Sequence, residues 1–227
     1  MTPTRTIVFD LDGTLVDTAP DLINALNHVL DTEGLPPVPL AAARNMIGAG
    51  ARRLIERGLE ADGRQVGPAD ITRMTNNYID YYADHIAELS KPFEGLEAAL
   101  DQMAARGCRF AVCTNKLEWL SKRLLDELGL SHRFAAICGA DTFGVSKPDP
   151  AILRQTVALA GGQLASAIMV GDAGTDVGVA RRAGIPVIGV NFGYTDTPMA
   201  ELNPDRLIKH MLELPEAVED LIEISTS

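Results

Sequence analysis

Acids, a hydroxyl, an amide and an amine stand at the ends of apolar runs in this 227-residue chain. Asp10 and Asp12 follow Thr6-Ile-Val-Phe9, Thr114-Asn115 follow Arg109-Phe-Ala-Val-Cys113, and Asp172 follows Ala167-Ile-Met-Val-Gly171. Lys147 lies in a loop ahead of Pro148, and Asp176 comes one helical turn after Asp172. Cleavage of a phosphate ester needs such a set. A carboxylate that attacks phosphorus forms an aspartyl-phosphate and splits one hard step into two. Asp10, at the end of a rigid strand, is the candidate. Asp12 shares its side if the chain stays extended there. It would protonate the leaving alkoxide and later deprotonate the water that cleaves the acyl phosphate. Gly13 then lets the chain turn away.

Asp10 and Asp172 in one crevice repel each other and an anionic substrate unless a cation intervenes. A hard, oxygen-seeking Mg²⁺ is the expected solution. Asp176 is placed to orient a water on that ion. Lys147 would neutralise phosphoryl charge, while the Thr114 hydroxyl, Asn115 and nearby backbone N–H groups hold phosphoryl oxygens. Taken singly, each residue has a plainer reading. Asp10 and Asp12 could be loop carboxylates, Asp172 a helix N-cap, Thr114 or Asn115 another cap, and Lys147 a solvated charge. Four such elements in order, each on a strand end or adjoining loop, point instead to phosphoryl transfer.

The elements that must position them are legible as short apolar runs separated by helical patterns. Thr6–Asp10, Arg109–Thr114, Ala167–Asp172 and Pro186–Val190 are continuously hydrophobic, as parallel strands buried on both faces are. Helical segments are expected over 95–106, 118–129, 149–160 and 174–183 and from about 214, with Gly107, Gly129 and Gly184 where C-caps belong. That alternation predicts an α/β fold, a doubly wound parallel sheet. Residues 18–90 break it: no strand is evident, and helical patterns run through Asp21–Thr32, Ala49–Glu60 and Pro68–Ala87. The expected organisation is a core of residues 1–17 and 91–227 with a helical cap, 18–90, inserted after the first strand.

The formal net charge is −11, with acidic residues spread along the chain, which argues against nucleic acid and anionic membranes as partners. No leader or membrane-length apolar run is visible, so a cytoplasmic setting is expected. Cys108, Cys113 and Cys138 show no metal-ligand spacing, and Cys108 and Cys113, which flank an apolar run, read as buried thiols in a reducing cytoplasm. Tyr78–Tyr82 reads as packing within the cap.

Asp10-Leu-Asp-Gly-Thr-Leu-Val-Asp17, Thr114-Asn115, Lys147-Pro148 and Gly171-Asp-Ala-Gly-Thr-Asp176 resemble the four motifs of the haloacid dehalogenase superfamily, across essentially the whole chain. The resemblance implies a Rossmann-like core with a helical cap, and Mg²⁺ held by the Asp10 side chain, the Asp12 backbone carbonyl and Asp172. It implies Asp10 as nucleophile and Asp12 as acid/base. Within the superfamily, the second Asp of the DxD pair points away from dehalogenation. The absence of any lysine before Lys91 points away from phosphonatases, which use a cap lysine. Hydrolysis of a phosphate monoester or a mutase-type transfer like that of β-phosphoglucomutase remains.

Ile47-Gly-Ala-Gly-Ala-Arg-Arg-Leu54, Thr114-Asn-Lys116, Gly139-Ala-Asp-Thr142 and Ser146-Lys-Pro-Asp-Pro150 are similar to the bacterial phosphoglycolate phosphatase subgroup. That similarity implies a small phosphorylated metabolite, 2-phosphoglycolate, as partner of a monomer or homodimer. Its carboxylate would meet backbone N–H groups around Gly48 and Gly50, or Arg52. Pyrophosphate, a sugar phosphate and a nucleotide are the other substrates this resemblance leaves open. A signalling receiver domain would place its phosphoacceptor mid-chain without a helical insert. A binding module that had lost the chemistry would lack one of the four acidic and basic residues, and all are present.

Overall fold

The computed structural model describes residues 4–195 and 197–226. Six strands form one parallel sheet: β1 (Thr6–Phe9), β4 (Arg109–Cys113), β5 (Ala136–Cys138), β6 (Ala167–Gly171), β7 (Val187–Val190) and β8 (Arg206–Ile208), in the order β5-β4-β1-β6-β7-β8. All four residues of β1 are buried. Because side chains alternate across a strand, Ile7 and Phe9 join the apolar layer that also contains Phe110, Val112, Ile168 and Val170. Val8 faces the opposite layer with Ala111, Cys113 and Met169.

Helices cover both layers: α5 (Leu96–Ala105), α6 (Glu118–Glu127), α7 (Pro150–Leu159), α8 (Gly174–Ala183) and α9 (Leu214–Thr226). Leu96, Leu100, Leu120 and Leu124 enter the first layer, and Ile152, Leu153, Val179 and Ala180 the second. Gly107, Gly129 and Gly184 each follow a helix with positive φ.

Between β1 and α5 the chain carries α1 (Ala19–Thr32), a short α2 (Leu40–Ala43), α3 (Ala51–Ala61) and α4 (Pro68–Asp84). No strand occurs among the described residues 18–90. A two-residue antiparallel ribbon flanks this stretch, β2 (Val16–Asp17) against β3 (Lys91–Pro92). Asp21, buried in the first turn of α1, closes it. Its carboxylate accepts the backbone N–H of Leu89 (3.0 Å) and of Ser90 (2.8 Å) and the Ser90 hydroxyl (2.6 Å). The departing and returning chain are thus fastened at one charged acceptor.

Two expectations are corrected here. β5 and β8, three residues each, complete the sheet beyond the four strands read from sequence. Cys113 and Cys138 are buried, whereas Cys108 is only partly so, because it precedes β4 at the sheet's amino edge. Tyr78 and Tyr82 are buried on α4. No helix among the described residues is long and apolar enough to cross a membrane.

Candidate active site

From β1 the chain proceeds outward through β4 and β5, then returns to lay β6, β7 and β8 on the other side of β1. The strand order therefore reverses beside β1, where open α/β sheets bind ligands at the carboxyl ends of their strands. Asp10 directly follows β1, Thr114 β4 and Asp172 β6, and all three are buried there.

Asp10, Asp172 and Asp176 each present a carboxylate oxygen within 4.8 Å of the others. One cation enters this cluster. Lys147, with a fully buried side chain, places Nζ 2.8 Å from Asp10 Oδ1 and 2.6 Å from Asp176 Oδ1. The Leu11 N–H also donates to Asp10 Oδ1 (2.7 Å). Asp10 Oδ2 receives no hydrogen bond among the described residues.

Asp172 is fixed by two donors, the Thr14 hydroxyl to Oδ1 (3.0 Å) and the Tyr194 N–H to Oδ2 (2.7 Å). Asp176 Oδ2 accepts the Ala173 N–H (3.0 Å) as α8 begins. Gly13 turns the chain at φ 81°, and a Cβ at either Gly13 or Gly193 would collide with Asp172. Neither Thr14, Tyr194 nor Gly193 stood out in the sequence.

Three carboxylates against one ammonium leave two negative charges unmatched in a dry site, and the titration behaviour follows. Burial, with the neighbouring charges of Asp10 and Asp176, holds Asp172 well above the ordinary carboxylate range. Burial likewise raises Asp10 to about 6, although Lys147 works against it. For Lys147 burial favours the neutral amine, but Asp10 and Asp176 outweigh it and hold the ammonium above its ordinary range. Burial pushes the Cys113 thiol up to about 12, an unreactive neutral neighbour. A divalent cation among the carboxylates is what this charge imbalance and this all-oxygen donor set fit.

Asp12 lies apart from that cluster. Its carboxylate accepts the Thr18 hydroxyl (2.8 Å) and both oxygens face Lys116 Nζ (2.9 and 3.1 Å). Lys116 lies in the Thr114-Asn-Lys116 segment, but the sequence attached no role to it. Its signal was slight, a lysine two positions past Thr114 in a chain with five lysines. The Thr114 hydroxyl accepts the Lys116 N–H (3.2 Å). Asn115 spans three segments: its amide donates to the Gly48 carbonyl (3.3 Å) and the Lys147 carbonyl (3.4 Å) and accepts the Lys147 N–H (2.9 Å).

Above these groups lies a cavity of about 270 Å³ that Asp10, Asp12, Thr114, Asn115 and Lys116 share with α3 and α4. Gly48 and Gly50, both with positive φ, bring the start of α3 onto it. Gly50 is the N-cap of α3 and offers no side-chain acceptor, so the first N–H groups of that helix are available to an anion. Arg52 also borders the cavity, but its guanidinium is half exposed and paired with Glu56 (3.1 Å).

Comparison with known proteins places this geometry. The family model described as haloacid dehalogenase-like hydrolase matches residues 7–190. A phosphoglycolate phosphatase of Mesorhizobium japonicum is 46% identical over 204 residues, 90% of each chain. One from Caulobacter vibrioides is 44% identical over 96% of this chain and 92% of its own. Among solved structures, a predicted phosphoglycolate phosphatase from Haemophilus somnus superposes with a TM-score of 0.87. It is 26% identical, over 96% of this chain and 99% of its own. This chain belongs to the haloacid dehalogenase-like hydrolase family.

Proposed function

We propose that this chain is a Mg²⁺-dependent phosphatase that hydrolyses 2-phosphoglycolate to glycolate and phosphate through a phosphorylated Asp10. The observation that carries the reaction class is the pair Asp10 and Asp12 on the floor of one small cavity. One of the pair is anchored through a single oxygen, and the other stands outside the acidic cluster. The substrate is supported by near full-length similarity to phosphoglycolate phosphatases and by the uncapped start of α3.

In this reading Lys147 and the Leu11 N–H hold Asp10 Oδ1, leaving Oδ2 to attack phosphorus. The bond from phosphorus to the bridging oxygen breaks, and Asp12 gives its proton to that oxygen as glycolate leaves. Asp12 then takes a proton from water, whose oxygen attacks the acyl phosphate and restores Asp10. Thr114, Asn115 and Lys147 hold the transferring phosphoryl group. Asp10, Asp172 and the Asp12 backbone carbonyl would hold Mg²⁺, with Asp176 beside them; the ion neutralises charge on the cluster and on the phosphoryl group. Residues 18–90 act as a cap over the core of residues 1–17 and 91–227. The cap turns on the β2–β3 ribbon to admit substrate and exclude bulk water.

A panel of 2-phosphoglycolate, pyrophosphate, sugar phosphates and nucleoside monophosphates tests this. The highest kcat/KM is expected for 2-phosphoglycolate, with activity abolished by EDTA and restored by Mg²⁺. A value no better than for the others removes the substrate, and EDTA-resistant turnover removes the ion.

Gly193→Ala probes the same centre without removing a polar group. The added Cβ displaces Asp172, and a displacement on the scale of an ångström lowers kcat by about 100-fold. Mg²⁺ affinity measured by calorimetry should weaken alongside. Unchanged kcat and Mg²⁺ affinity would show that Asp172 is not where the ion is held.

A further inference from the structure

Lys116 is bound into the cavity more firmly than a solvated lysine needs to be. Its side chain is 5% exposed, its ammonium meets both oxygens of Asp12 at 2.9 and 3.1 Å, and it lies 4.4 Å over the ring of Tyr82. Beside it, Tyr78 and Tyr82 line the same cavity. Both are buried, and their hydroxyls have no hydrogen-bond partner. A buried hydroxyl left unpaired costs free energy, so two on residues that line the cavity with Lys116 indicate an absent acceptor. Burial holds both phenols well above their ordinary range, so they remain donors. The start of α3 adjoins this corner: a Cβ at Gly50 would lie 3.5 Å from the Asn115 carbonyl.

Resting on the phosphatase reading above, we propose that Lys116 is the specificity-determining residue. Its ammonium, with the Tyr78 and Tyr82 hydroxyls, receives the carboxylate of the leaving group. The geometry limits what fits. The bridging oxygen must come within hydrogen-bond reach of Asp12 to be protonated. In glycolate the carboxyl carbon is two bonds from that oxygen, which brings the carboxylate to the cation that Asp12 already touches. A monoester whose second anion lies further along its chain carries it past Lys116, away from the cation that Asp12 touches. Arg52, at the rim and paired with Glu56, is left outside this contact.

The test compares 2-phosphoglycolate with 2-hydroxyethyl phosphate, which has the same reach and no charge on its tail. Lys116→Gln keeps a donor toward Asp12 while removing the ammonium. The ratio of kcat/KM for the two substrates is expected to fall by about 10- to 100-fold, the range of a hydrogen bond to a charged group. Lys116→Arg should retain most of the preference and serves if the Gln variant does not fold. Equal loss on both substrates would overturn the inference and leave Lys116 acting through Asp12 alone. Wild-type enzyme with no preference for 2-phosphoglycolate would overturn the substrate reading and this inference together. A wild-type preference that survives in Lys116→Gln, or one lost in a folded Lys116→Arg, overturns the inference alone.

Discussion

Asp10→Asn is expected to lower turnover by at least about 10⁴-fold with Mg²⁺ present, the scale on which removal of a covalent nucleophile acts. The substitution keeps the shape of the side chain and leaves an oxygen to accept from Leu11 and Lys147, so the fold should persist. Loss of activity without loss of the thermal transition separates chemistry from stability. Wild-type protein quenched in acid during turnover of a radiolabelled phosphate ester should retain label on the chain, and Asp10→Asn should retain none. Wild-type turnover by Asp10→Asn would remove the assignment.

Lys147→Met should be the most destabilising single change in the site. The ammonium is fully buried between Asp10 and Asp176. Without it Asp10, Asp172 and Asp176 face one another with no protein cation among them. Removing one partner of a buried ion pair costs about 3–5 kcal/mol. A urea titration should show that loss in EDTA and a smaller one in Mg²⁺. Carboxylates freed of the Lys147 ammonium hold a divalent cation more tightly than in wild type, and the tighter-bound ion stabilises the variant more. Equal losses in the two buffers would argue that no divalent cation enters the cluster. An unaltered urea midpoint would show that Lys147 is not balancing those charges.

Much of this site could be read before any coordinates because its residues lie where apolar runs end. β1, β4, β6 and β7 are buried on both faces and show as uninterrupted hydrophobic stretches. The residues at the ends of three of them are the ones brought together. β5 and β8 are edge strands of three residues each, too short for any period to register. α2, four residues long, escaped for the same reason.

The supporting contacts were less legible because they span long stretches of chain. Tyr194 reaches Asp172 through its backbone N–H, a group that every non-proline residue carries. Gly193 matters through the absence of a side chain. Lys116 belonged to a recognised segment, yet its role depends on Tyr82, thirty-four positions earlier on a different element. Tyr78 and Tyr82 are buried, as packing within the cap requires. Nothing in their spacing tells which buried face would border a cavity.

The register of β1 also has a bearing on how the molecule comes into being. Thr6 to Phe9 pair with 109–112 on one side and with 167–170 on the other. Pairings between segments so distant in the chain form late. During synthesis Asp10 and Asp12 emerge long before Asp172 exists. A growing chain therefore carries Asp10 through most of its elongation without Lys147, Asp172 and Asp176 beside it. Asp10 meets Asp172 and Asp176 only when β6 pairs with β1, so the acidic cluster and that central pairing form together.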